Sequence, residues 1–147
     1  MPVLHEASGR ANLVDRAARL TAESPRLWGR MTPDQMLWHV NAQMECALGR
    51  RECVPIDNLF KRTVIKAVAL YGPWPKGKAP TAREMRADGT YDLDKELARF
   101  RELVDAFGAR PLDSAWSRHP AFGPLTGPQW SLLSWRHANH HLTQFSL

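Results

Sequence analysis

The sequence predicts an all-α fold, a four-helix bundle with one additional inserted helix, and three observations support this prediction. Apolar residues recur at spacings of three and four along most of the chain, which is the periodicity of amphipathic helices. Two segments open with the residues of a capping box, Thr32 to Gln35 and Thr126 to Gln129. No segment shows the alternation of a set of strands, and the predicted connections are short enough for neighbouring helices to pack antiparallel.

Length and composition place limits on the class of protein. A chain of 147 residues suits one domain, and we expect residues 1–147 to form a single helical bundle. A hydrophobic content of 44% with six Trp excludes a disordered chain. The basic residues behind the net charge of +5 are scattered, so nucleic-acid binding is disfavoured. No stretch has the length and apolarity of a membrane span and the first residues lack a signal-peptide pattern, so we expect a cytoplasmic protein.

The first two helices are predicted from apolar periodicity and capping residues. The first is short, with Asn12 as its capping residue, and ends before Ser24-Pro25. The second has Thr32 as N-cap, Pro33 at its first position and Gly49 as its stop. The apolar positions of the two helices are Leu13, Val14, Ala17 and Leu20, then Met36, Leu37, Val40, Met44, Ala47 and Leu48.

Three further helices follow. The third has an apolar face after Pro55 and ends at Gly72-Pro73, where an irregular loop containing Pro75, Gly77 and Pro80 begins. The fourth starts at Asp92 and is closed by Gly108. The last opens at Thr126 and runs nearly to the end of the chain. The apolar positions of the third and fourth are Leu59, Phe60, Val64, Ile65, Val68 and Ala69, then Leu93, Leu97, Phe100, Leu103, Val104 and Phe107.

The last helix places imidazoles on its apolar face. His137 and His141 are four residues apart, so their side chains lie one above the other, close enough to bind one ion. His39, on the second helix, completes a three-His site if the two helices are neighbours; a lone His is otherwise more often a space-filling core residue. His140 is an alternative partner of His137, although the apolar residues place the buried face nearer His141. The shared face consists of Trp130, Leu133, Ser134, His137, His141, Gln144 and Phe145.

Three neutral imidazoles suit a divalent transition metal. Zn²⁺, Ni²⁺ and Fe²⁺ all accept such ligands, and the sequence does not choose among them. A site with three protein ligands leaves coordination positions open for water or substrate. The pattern therefore predicts an open metal site and leaves undecided whether the protein is an enzyme.

Three segments resemble a known superfamily. Residues 116–130 contain His119-Pro120-Ala121-Phe122-Gly123, and residues 136–145 contain His-x-x-His-His-Leu-x-Gln-Phe. Together with residues 28–39, these segments resemble the DinB/YfiT-like superfamily, and more narrowly a branch of unknown function within it. The resemblance implies a four-helix bundle whose metal ligands are His39, His137 and His141, with His140 in a supporting or dimer-facing role. It also suggests a homodimer.

Several members of that superfamily are metal-dependent transferases that activate low-molecular-weight thiols. The resemblance thus implies a thiol S-transferase that acts on a small electrophile. The alternatives are a non-catalytic stress-related or protein-interaction module with a vestigial metal site, and a metal-assisted hydrolase that uses water. Asp34 and Glu45 flank the His39 helix, but a capping-turn charge and a solvated residue are their expected roles, which leaves hydrolysis without a general base.

Other residues near the predicted site each allow two interpretations. Gln144 could hydrogen-bond a ligand or substrate, or could be an exposed amide at a helix end. His119 and Phe122 lie in the loop before the last helix, where they could cover the metal site or simply pack the end of the bundle. Cys46 and Cys53 are expected to be reduced thiols rather than nucleophiles.

Overall fold

Five α-helices carry the regular structure of the computed structural model, which describes residues 1–77 and 81–147. They are α1 (Ala7–Ala17), α2 (Pro33–Ala47), α3 (Lys66–Tyr71), α4 (Leu93–Ala109) and α5 (Gly127–Thr143). A π-helical turn, Lys61–Ile65, leads into α3, and a 3₁₀ turn, Arg83–Met85, precedes α4. The described residues contain no strand, so the all-α prediction is confirmed. Pro80, predicted in the loop after α3, lies outside the described residues.

Four of the helices pack around a common core. Helices α1 and α2 each contact both α4 and α5, and α3 lies against α5. Because α2 and α5 are neighbours, side chains from their facing surfaces can meet. The largest fully buried side chains are Trp130, Phe100, Phe107, Leu4, Leu13, Met36, Leu37, Met44, Leu70, Leu103, Leu142 and Val40.

The predicted starts of α2 and α5 are confirmed. The Thr32 N–H donates to Gln35 Oε1 at 3.1 Å, and the Thr126 N–H donates to Gln129 Oε1 at 3.1 Å. Proline occupies the first turn of each helix, where no backbone donor is needed. These local hydrogen bonds are specified by residues three apart in the chain, which is why the sequence pattern locates both starts.

The predicted start of α1 is wrong. The helix begins at Ala7, five residues before Asn12, and its N-cap Glu6 makes no side-chain cap. The preceding segment packs against Gly9 inside the helix, where a Cβ would lie 2.3 Å from the Val3 carbonyl oxygen. The segment before α1 therefore packs directly on helical backbone, a tertiary contact that apolar periodicity does not reveal.

The apolar face predicted for the third helix is mostly exposed. In α3 only Leu70 is buried. The exposed large apolar residues of this part of the chain are Val54, Ile56, Leu59, Phe60, Val64, Ile65, Val68 and Tyr71. The periodicity therefore identified a helical segment correctly, but most of the apolar residues of this segment do not pack into the core. Within the described part of the chain, no helix has both the length and the apolarity needed to cross a membrane.

Candidate metal centre

Helices α2 and α5 bring His39, His137 and His141 together. One ring nitrogen from each residue lies within 4.8 Å of the others. The Nε2 atoms of His39 and His137 are 2.9 Å apart, although the two residues are separated by 98 positions in the chain. We call these three residues the histidine cluster. The structure thus assembles the three residues that the sequence singled out, and their function as ligands stays a prediction.

Hydrogen bonds at the outer nitrogens orient two of the three rings. His39 Nδ1 lies 2.7 Å from the Met85 carbonyl oxygen, and His141 Nδ1 lies 3.1 Å from Gln144 Oε1. Carbonyl oxygens only accept hydrogen bonds, so both Nδ1 atoms carry the proton. In these neutral tautomers Nε2 keeps its lone pair, which is the arrangement of a metal-ligating histidine held by a second hydrogen bond.

Gln144 is itself held in one orientation. It is 3% exposed, so the alternative of an exposed amide at the helix end is wrong. Its Nε2 donates to the Trp28 carbonyl oxygen at 2.7 Å, which directs Oε1 towards His141. Gly29 permits this approach, because it has a φ of 82° and a Cβ there would lie 2.3 Å from Gln144 Nε2. The turn at Trp28 therefore fixes the Gln144 amide, and this amide orients the His141 ring.

His137 differs from the other two histidines in its hydrogen bonds. Its Nδ1 is buried without a hydrogen-bond partner. Because His39 Nε2 is an acceptor, the short contact between the two rings requires His137 to donate from its own Nε2. A divalent transition ion would replace that proton and accept the facing lone pairs, since its preferred ligands include neutral imidazole. The donor set of the cluster fits such an ion.

The environment keeps the cluster neutral. Burial lowers the pKa of His39 and lowers the pKa of His141 to about 3. Burial also lowers the pKa of His137 well below its ordinary value, and the neighbouring imidazoles lower it further. Only the unprotonated ring can bind a metal. Near neutral pH, protons therefore compete weakly for the three nitrogens.

His140 lies outside the cluster. Its ring centre is 5.8 Å from that of Trp28 and 5.4 Å from that of Trp74. It is half-buried between these two indoles, whereas His141 approaches His39 and His137 to 4.9 and 4.7 Å between ring centres. Of the two alternatives left by the sequence, the structure groups His141 with His137.

His119 and Phe122 form a packed turn. His119 Nδ1 accepts from the backbone N–H groups of Ala121 and Phe122, each at 3.1 Å. The imidazole stacks on the Phe122 ring at 4.3 Å and lies 5.2 Å from the Trp130 ring. Burial lowers the pKa of His119 to about 3. Its position beside Trp130 favours the packing interpretation of this loop.

Several features of the site were absent from the sequence interpretation. The Met85 carbonyl oxygen has no side-chain signature, so no motif could reveal it. Trp74 lies in an irregular loop without a recognisable motif, yet its ring lies 6.0 Å from that of His137. Glu45 was expected to be solvated, which is wrong, because its carboxylate pairs with Arg51 and Arg99. Cys46 and Cys53 are free thiols outside the cluster.

Comparison with known families gives a match over most of the chain. The family model described as "Protein of unknown function (DUF1569)" matches residues 6–146. The matched range includes both helices that carry the histidine cluster. No curated protein and no solved structure matches the chain.

Proposed function

We propose that this chain, which belongs to the DUF1569 family of proteins of unknown function, binds a divalent transition metal through His39, His137 and His141. The observation that carries the proposal is the convergence of these rings, with the Nδ1 atoms of His39 and His141 already bonded to carbonyl oxygens. We further propose that the family is a branch of the DinB/YfiT-like superfamily. The relationship is supported by the location of His39 on α2 and of His137 and His141 on α5, since the resemblance implies one ligand on the second helix and two on the last.

Elemental analysis of protein purified without a chelator or a histidine tag tests the metal site. We expect about one equivalent of Zn, Ni or Fe per chain. The His39→Ala and His137→Ala variants should lose the metal while their helical circular dichroism persists. His119→Asn is the matched control, because His119 is also buried but lies outside the cluster. A wild-type protein that binds no metal even after titration with Zn²⁺ and Ni²⁺ would contradict the proposal.

His140→Ala distinguishes the two candidate ligand sets. Retention of the metal in His140→Ala together with its loss in His141→Ala supports the cluster as described. The reverse result would show that His140 binds the ion and would require a rearrangement of the Trp28 and Trp74 rings on either side of it.

The reaction we propose for this site is transfer of a small electrophile to a low-molecular-weight thiol. A divalent ion held by His39, His137 and His141 would favour the thiolate form of a nearby thiol, and the thiolate is the nucleophile. The sulfur then forms a bond to the electrophilic carbon, whose leaving group departs with the bonding electron pair, and the thiol proton passes to solvent. The chain supplies neutral imidazoles to hold the cation and an indole, Trp74, whose ring lies beside His137.

A thiol assay tests the reaction. Glutathione or bacillithiol is incubated with monobromobimane, and the fluorescent thioether is measured. We expect turnover above the uncatalysed rate with wild-type protein, and loss of that turnover in His39→Ala and His141→Ala. A metal-loaded protein without turnover would instead favour the non-catalytic module.

Hydrolysis is less well supported by the structure. Both carboxylates considered as general bases are engaged: Asp34 accepts from Thr32 and from the Tyr91 N–H, and Glu45 pairs with two arginines. Turnover of p-nitrophenyl acetate in the absence of thiol would revive this alternative.

A further inference from the structure

We propose that a pocket beside the histidine cluster binds a small molecule with a flat apolar body and a carboxylate. The inference rests on the proposed function, since it assigns a substrate class to the same site. The pocket has a volume of about 510 Å³ and is lined by α5, by Trp28 and by the loop after α3. Pockets for small organic ligands commonly have volumes of about 300–1,000 Å³.

Trp74 lies next to both the pocket and the histidine cluster. Trp74 lines the pocket, and its ring lies 5.4 Å from His140 and 6.0 Å from His137. The Trp74 indole N–H donates to the Ala69 carbonyl oxygen at 2.8 Å, which holds the ring in place at the end of α3. A molecule in the pocket would therefore contact the indole whose ring neighbours His137.

Aromatic surfaces dominate this pocket. Trp28, Trp74 and Trp135 all line it, and His140 lies between the first two. Flat rings pack favourably on such faces, in offset or edge-on arrangements. The lining therefore favours a ligand with an aromatic or similarly flat body.

The charged side chains among the described lining residues are all positive. Lys76 and Arg136 are lining residues, and none of the described lining residues is Asp or Glu. Lys76 Nζ lies 4.7 Å from the centre of the Trp28 ring, and the Arg136 guanidinium lies 5.7 Å from the centre of the Trp74 ring. Arg136 donates to the carbonyl oxygens of Leu70 and Gly72, which are neutral acceptors.

Neither cation is neutralised by the described residues. No carboxylate in residues 1–77 or 81–147 lies within ion-pair distance of Lys76 or Arg136. Positive charge beside low-dielectric aromatic walls attracts an anion more strongly than it would in open water. A carboxylate on a flat body suits both the aromatic lining and its positive charge, whereas an organic cation would be repelled by Lys76 and Arg136.

Nuclear magnetic resonance of the indole N–H groups tests this inference with 2-naphthoate as the probe and 2-naphthamide as its neutral counterpart. We expect naphthoate to shift the indole signals of Trp28 and Trp74 saturably. The signal of Trp130 should stay unchanged, because that residue is fully buried in the core. Naphthamide should bind several-fold more weakly. Equal binding of the two probes, or no saturable shift at Trp28 and Trp74, would overturn the proposal.

A pair of lysine variants tests the charge. Lys76→Gln should weaken naphthoate binding about fivefold, as expected for one exposed ionic contact, and leave naphthamide unaffected. Lys95→Gln is the matched control, because Lys95 is exposed on α4 and does not line the pocket. An unchanged naphthoate affinity in Lys76→Gln would contradict the assigned role of this lysine.

The same titration separates the pocket from the metal site. It is performed with chelator-treated protein, with Zn²⁺-loaded protein and with His39→Ala. Saturable naphthoate binding in all three samples supports the pocket even if the proposed metal site fails. Binding of Zn²⁺ without any naphthoate binding would overturn the pocket and leave the metal site intact.

Discussion

Gln144 connects the histidine cluster to the turn at Trp28. Its amide donates to Trp28 and accepts from His141, and only glycine at position 29 leaves room for it. The metal affinity of such a site depends on these supporting groups as well as on the ligands.

Gln144→Leu should lower metal affinity about tenfold to a hundredfold, because the His141 Nδ1–H loses its acceptor. Competition with a chromophoric chelator measures the change. Gln43→Leu is the matched control, since Gln43 is also buried but bonds Ser134 instead of an imidazole of the cluster. Equal affinities of wild type and Gln144→Leu would show that this hydrogen bond does not support the site.

His119 should make the protein sensitive to acid. Its pKa is about 3 in the folded chain and about 6.5 when unfolded. Between these values the unfolded state binds more protons than the folded state, so this part of the stability is lost as the pH falls below about 6.5. The contribution is about 2 kcal/mol between about pH 7.5 and about pH 5.

Urea unfolding of chelator-treated wild type and His119→Asn at those two pH values measures this contribution. In the folded chain His119 Nδ1 accepts two backbone hydrogen bonds. An Asn side chain places an oxygen acceptor near the same position, and the Asn amide does not titrate. We expect the variant to lose about 2 kcal/mol less than wild type on acidification. The same pH dependence in both proteins would place the acid sensitivity elsewhere.

At the scale of the helices, α5 depends on its first residues. The Thr126 hydroxyl accepts from the Gln129 N–H at 3.3 Å, and α5 carries two of the three cluster residues. Where a capping pattern of this kind was present, the helix start was predictable, as for α2. Helix α1 starts at Ala7 without a side-chain cap, and its start was not predictable.

Thr126→Ala should destabilise the fold by about 1 kcal/mol, because one backbone N–H of the first turn loses its acceptor. Chemical denaturation measures this free energy. Thr63→Ala is the control, since its hydroxyl donates within a helical segment to Leu59 and caps nothing. A larger loss in Thr63→Ala than in Thr126→Ala would contradict this ranking.

At the scale of the whole molecule, the histidine cluster joins α2 to α5. A metal that binds only the folded chain stabilises it by an amount set by its free concentration relative to its dissociation constant. With free Zn²⁺ at about a hundred times that constant, we expect about 2.7 kcal/mol of added stability, visible as a higher Tm. His137→Ala should abolish the increase, while His119→Asn should retain it. An increase of the same size in His137→Ala would place the bound metal elsewhere.

The homodimer suggested by the family resemblance stays a prediction at this scale. Several large apolar residues between Val54 and Tyr71 are exposed, and exposed apolar patches mark interaction sites. Sedimentation of wild type and of Leu59→Ser with Phe60→Ser measures association of two copies. A dimer in wild type and a monomer in the variant would support pairing through this surface, whereas monomers in both would contradict the homodimer.

The helical class, the starts of α2 and α5, and the shared face of His137 and His141 follow from the amino-acid sequence alone. Each of these depends on residues three or four positions apart, whose geometry a helix sets locally. Tertiary structure decided the rest: that His39 reaches His137 across 98 positions, that the Met85 carbonyl orients His39, and that the Trp74 ring lies beside both His137 and a pocket. The physical reason is that these contacts depend on how helices pack and on backbone atoms, and neither leaves a periodic pattern in the side chains.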